Sequence, residues 1–108
     1  MQTLFPIPHL SVSAEQIAAF CQAWGIVELS VFGSVLRDDF TDESDVDVLY
    51  VLPEDVNVGF KWVFDAEQAL SELLGRKVDF VSKKAVQSSK NWIRRNAILN
   101  GARVIYVA

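Results

Sequence analysis

The sequence predicts an α+β domain, a mixed β-sheet with helices packed over it. Three observations predict this class. Segments with helical spacing of apolar residues alternate with short strand-like runs along the 108 residues. Glycines stand where the helical segments stop, at Gly25, Gly75 and Gly101. About half the chain is apolar (51%), which is enough for one core and leaves little room for a second.

Ser13 and Gln16 form a capping box ahead of Ile17, Phe20, Cys21 and Trp24, which recur at i, i+3, i+4 and i+7 of a first helix. Gly25 closes that helix as its C′ residue. Residues 27–32 then alternate as a strand, Gly33-Ser34 breaks it, and a polar loop over 38–44 leads into a second strand over 45–52. Pro53 stops the second strand. Phe60, Val63, Leu70 and Leu74 mark one face of a second helix that ends at Gly75, and residues 77–81 read as a third strand. A third helix over 86–100 carries Trp92 and Ile93, with Gly101 as its C′ residue, and residues 103–107 make the last strand. No repeat, low-complexity tract or Gly/Ser/Pro-rich linker interrupts this order, so residues 1–108 read as a single domain.

No run approaches the roughly 18 apolar residues of a membrane span, and Met1 to Leu10 lacks a basic start followed by an apolar stretch. A cytoplasmic protein without membrane contact is expected. Cys21 is the only cysteine, which excludes an internal disulfide and a cysteine-rich zinc site. It falls on the apolar helix face and reads as core rather than nucleophile. His9, the only histidine, lies among prolines and is given no catalytic role.

Charge is divided unevenly. Residues 1–75 hold thirteen acids and two bases (Arg37, Lys61), a balance of −11, and residues 76–108 hold eight bases and one acid, a balance of +7. Such a split points to complementarity within the fold, or to a face for a phosphate or an acidic partner. The acidic total, −4, argues against stable nucleic-acid binding.

The chemistry concentrates in Gly33-Ser34, ten residues, then Asp45-Val46-Asp47. On a strand Asp45 and Asp47 share a face about 6.6 Å apart, with Val46 and Val48 turned the other way. Six acids and no base lie between Asp38 and Asp47. Like charges about 6 Å apart repel by roughly 3 kcal/mol per pair at an effective dielectric of about 20. A cation relieves that repulsion, and magnesium takes one or two carboxylates plus water and phosphate oxygens. Asp79, flanked by Val78 and Phe80, projects from the polar face of its strand. If that strand lies beside 45–52, the three aspartates converge on ground for two metal ions about 3.5–4 Å apart, and Asp79 is placed to take an acceptor's proton. Gly33 lets backbone N–H groups approach a phosphate, Ser34 adds a hydroxyl, and Arg37 reaches the same anion.

Each of these residues has a plainer reading. Asp45 and Asp47 also fit a solvated strand start, Asp79 a salt bridge to Lys77, and Ser34 a turn. Arg37 has Asp38 and Asp39 within reach. Two of Trp24, Trp62 and Trp92 are expected in the core, and an exposed one would anchor a partner. Lys83, Lys84, Arg94 and Arg95 read as a solvated surface or as a basic rim toward a triphosphate or an acidic partner.

Taken together, Gly33-Ser34, the ten-residue gap, Asp45-x-Asp47, and Asp79 after a helix resemble the DNA polymerase β-type nucleotidyltransferase superfamily. More closely, they resemble the minimal nucleotidyltransferase (MNT) antitoxins paired with HEPN-domain toxins. The resemblance implies a polymerase β palm-like fold, Mg2+, ATP as donor, and transfer of AMP onto a tyrosine of a HEPN ribonuclease. Nucleotidyltransferases that act on antibiotics or nucleic acids usually carry a further domain for the acceptor, so the short chain favours the antitoxin branch. Two alternatives stand beside it: an antitoxin that neutralises by binding alone, and a nucleotidyltransferase acting on a small molecule or an RNA end.

Overall fold

The structure, a computed structural model, describes Ile7, Leu10 and residues 12–41 and 43–108. His9 and Asp42 of the acidic loop lie outside the described residues. Four strands, β1 (Glu28–Phe32), β2 (Val46–Val51), β3 (Val78–Ser82) and β4 (Arg103–Val107), form one sheet in the order β3-β2-β1-β4. The helices are α1 (Ala14–Trp24), α2 (Phe60–Leu74), α3 (Lys83–Gln87) and α4 (Trp92–Gly101). β1 runs antiparallel to β2 and β4, while β2 and β3 are parallel and joined through α2. The sheet is therefore mixed, as the sequence predicts.

Local signals set the element ends. Ser13 Oγ accepts the Gln16 N–H at 3.1 Å and Gln16 Oε1 accepts the Ser13 N–H at 2.9 Å, closing the capping box of α1. Gly25 and Gly75 take left-handed φ values of 70° and 67° behind α1 and α2, where a side chain would be strained.

Strand alternation divides the interior in two. Leu29, Val31, Val46, Val48, Tyr50, Val78 and Phe80 face α1 and α2 and form the larger core with Ile17, Cys21, Ala66 and Leu70. Tyr50 stacks on Phe80 with ring centroids 4.4 Å apart, and Trp62 lies against both. Leu49 on the opposite face packs with Val86 of α3 and Ile98 of α4, bordered by Phe32 and Val81. Burial pushes the Cys21 thiol up to about 12, as suits a core residue.

The helix expected over 86–100 is two helices. Ser82 Oγ caps α3, Asn91 Oδ1 accepts the Arg94 N–H at 3.2 Å to start α4, and Ser89 Oγ accepts the Asn91 N–H at 3.2 Å between them. The short polar side chains of Ser89 and Asn91 bond the backbone and break the helix there. Gly101 is the last residue of α4, and Ala102 rather than a left-handed glycine caps it. Phe60 does not share the buried face of α2: it opens the helix at 88% exposure, and Ala66 takes a fully buried place on that face. Trp24 and Trp62 pack on the core while Trp92 is 62% exposed.

Candidate active site

β2 and β3 pair in register, and their partners are Val46 with Val78 and Asp47 with Asp79. Because the valines point into the large core, both aspartates point to the opposite face, the one that carries α3 and α4. Asp45 stands two residues before Asp47, just ahead of the strand, so it falls on the same side. Asp45 and Asp47 are half-buried and Asp79 is exposed. Among the described residues no cation pairs with Asp79, Lys77 included.

Gly33 has φ 74°, and a Cβ built on it would overlap the Asp47 carboxylate. Glycine is therefore required twice over, by backbone conformation and by space. It opens a single 3-10 turn, Gly33–Leu36, that departs from β1 beside Asp47, since Phe32 is the register partner of Asp47. Ser34 Oγ donates to the Asp45 carbonyl at 3.4 Å, so the bend and the start of β2 are tied. Arg37 pairs with Asp39 at 3.2 Å, one of the partners read from the sequence, and both side chains are exposed.

Asp47 carries the electrostatic signature of the site. Burial, then the charges of Asp79 and Asp45, push its carboxyl above the ordinary carboxylate value, and Arg37 pulls partly the other way. All three carboxylates thus act in one field with Arg37 at its edge. Hard oxygen donors crowded by like charge suit a hard divalent cation. Among the described residues no three such groups have already closed into a ligand set for one ion. The aspartates share a face and a field, and a cation would draw them together.

The sequence reading missed the groups that hold this face in place. Phe80 N–H donates to Glu67 Oε2 at 3.1 Å and Val78 N–H to Ser71 Oγ at 3.2 Å, so α2 covers the outer edge of β3 on both sides of Asp79. Arg76 binds the acidic loop through backbone carbonyls of Thr41 and Ser44. The charge split hinted at such contacts, as does the Lys83 to Glu28 salt bridge at 2.8 Å, but no spacing rule names the partners.

A cavity of about 740 Å³ opens at the other end of the strands, lined by Glu28, Tyr50, Glu54, Ser82, Lys83 and Lys84. It contains none of the three aspartates.

The sequence profile of the nucleotidyltransferase domain family matches residues 14–105. A candidate protein adenylyltransferase of Methanocaldococcus jannaschii is 30% identical over 88 residues, 82% of this chain and 86% of that one. The fold is also that of a toxin-antitoxin complex crystallised with AMP-PNP, at a TM-score of 0.68 and 14% identity over 90% of this chain and 75% of the other. A tri-AMPylated Shewanella oneidensis HEPN toxin bound to an MNT antitoxin gives a TM-score of 0.55 at 14% identity, covering 88% and 70%. With nearly the whole described fold inside the matched profile, and the glycine bend facing the paired aspartates, the chain belongs to the nucleotidyltransferase domain family.

Proposed function

We propose that this chain is a cytoplasmic antitoxin that transfers AMP from ATP onto a tyrosine of a HEPN-type toxin. The observation that carries the reading is the in-register pair Asp47 and Asp79 beside a glycine whose Cβ the Asp47 carboxylate would exclude. Support for the donor and acceptor comes from the relatives: one is a candidate protein adenylyltransferase, one complex holds AMP-PNP, and one toxin carries AMP. Among the described residues no helix is long and apolar enough to cross a membrane.

The roles follow from position. Backbone N–H groups at Gly33 and the Ser34 hydroxyl hold the triphosphate, and Arg37, whose exposed pair with Asp39 is worth only about 0–1 kcal/mol, adds its charge to the phosphates. Asp45, Asp47 and Asp79 would hold Mg2+, and two such ions would supply positive charge against the triphosphate. The tyrosine oxygen of the acceptor attacks the α-phosphorus, the bond to the β-phosphate oxygen breaks, and pyrophosphate leaves. Asp79, the most exposed of the three, accepts the phenolic proton.

The test is the intact mass of the toxin after co-expression. A gain of one or more AMP units with the wild-type chain, absent with Asp45→Asn/Asp47→Asn, supports transfer. Full neutralisation of a toxin of unchanged mass would instead establish masking by binding alone.

A further inference from the structure

We propose that Arg76 is a positioning residue that fixes the loop leading into Asp45 and so sets the geometry of the carboxylate cluster. The inference rests on the adenylyltransfer reading for its kinetic consequence only.

Arg76 follows Gly75 at the end of α2, and its N–H donates to the Ser71 carbonyl at 3.2 Å, so its backbone is part of a fixed helix terminus. The neighbouring Lys77 carbonyl accepts the Val46 N–H at 2.9 Å, the first amide of β2. From this anchor the guanidinium crosses to the loop, where Nη2 donates to the carbonyls of Thr41 and of Ser44, the latter at 3.0 Å. Its Cζ sits 4.4 Å from the centroid of the Phe40 ring.

The loop needs an outside support. It closes on itself through Ser44 N–H to the Thr41 carbonyl at 3.0 Å and Thr41 N–H to Ser44 Oγ at 3.0 Å. Residues 38–47 carry six acids and no base, so charge repulsion works to open it. Arg76 meets it through two carbonyls and an aromatic ring rather than through a carboxylate. Asp45 and Asp47 are thereby held in place while their oxygens stay available for a cation. Both carbonyls are met by one nitrogen, a pair of bonds that a lysine ammonium could partly replace, but the planar guanidinium lying on the Phe40 ring is not reproduced by a point charge on a flexible stem.

Backbone hydrogen exchange over 38–47 and steady-state AMP transfer to the co-purified toxin test the proposal on the full chain. Arg76→Ala should speed exchange in that segment about tenfold or more while the amides of β1 and α1 keep their protection. Turnover should fall about 10–100-fold with KM for ATP within about threefold, because a displacement on the order of 1 Å at reacting groups costs about that much in rate. Arg76→Lys should fall between, and Phe40→Ala should cost less in the Arg76→Ala background than alone, because the ring contact is then already gone while the packing of Phe40 on the core is lost in both. Wild-type exchange over 38–47, or turnover within about twofold of wild type in folded Arg76→Ala, overturns the proposal. Should that variant not fold, wild-type turnover in both Arg76→Lys and Phe40→Ala overturns it. A wild-type chain that transfers no AMP counts against the proposed function, and the exchange data then decide the role of Arg76 by themselves.

Discussion

Under α1 and α2 the sheet is closed by valines, leucines and a stack of aromatic rings packed into one apolar cluster. Under α3 and α4 the cover is smaller: Leu49, Val86 and Ile98 are the buried residues of that cluster, and three aspartates lie on the same side of the sheet. The difference teaches how a small domain separates stability from chemistry. One side of each strand contributes burial, about 25 cal/mol per Å² of apolar area, and the other side keeps like charges together at a cost to the fold. Period-two alternation makes the division possible within single strands, since Val46 and Val48 serve one side while Asp47 between them serves the other.

The largest break in this contrast comes from the open side. Asp45→Asn or Asp47→Asn should lower AMP transfer by at least about 10²–10³-fold, read with labelled ATP, and leave the circular dichroism of the domain unchanged. Asp47→Asn should also change stability with the opposite sign to most substitutions. The folded-state pKa of Asp47 is raised, so its contribution is fully present below the unfolded value and is lost as pH rises through the folded one. Metal-free wild type should therefore gain stability from this group as pH falls from neutrality through the folded pKa. The asparagine variant should lack that increment and melt at or above the wild-type temperature at pH 7.

On the closed side, Leu70→Ala empties a fully buried position and should cost about 2–5 kcal/mol in denaturant titrations. Turnover per folded molecule should stay unchanged there, which separates the two sides cleanly. Gly33→Ala mixes both effects, since a left-handed φ costs an L-residue about 1–2 kcal/mol and the added methyl displaces the Asp47 carboxylate. It should lower stability and transfer together. The smallest effect is expected at Trp92, whose 62% exposure makes Trp92→Ala change the unfolding free energy by about 0.5 kcal/mol or less.

Much of this arrangement was legible in the sequence. Ser13 with Gln16, Gly25 and Gly75 are local devices whose hydrogen bonds span three or four residues, and they set the helix ends as read. The alternation around Asp47 and Asp79 gave the side of each strand, and the in-register parallel pairing is what brings the two together. Contacts between distant segments were not legible. Arg76 reaches carbonyls 32 and 35 residues away, and Glu67 and Ser71 cover a strand edge from a helix. Apolar spacing also misled at two places. Phe60 fits the helical pattern of α2 yet stands at its open first turn, and the pattern over 86–100 continues across a serine and an asparagine that turn the backbone aside.

Crystals soaked in Mn2+ and an ATP analogue that resists cleavage, measured for the anomalous signal of the metal, test the central claim most directly. Peaks are expected between the carboxylates of Asp45, Asp47 and Asp79, with the triphosphate against Gly33 and Ser34. A metal and nucleotide bound elsewhere, or Asp79 turned from the other two in the loaded protein, would contradict it.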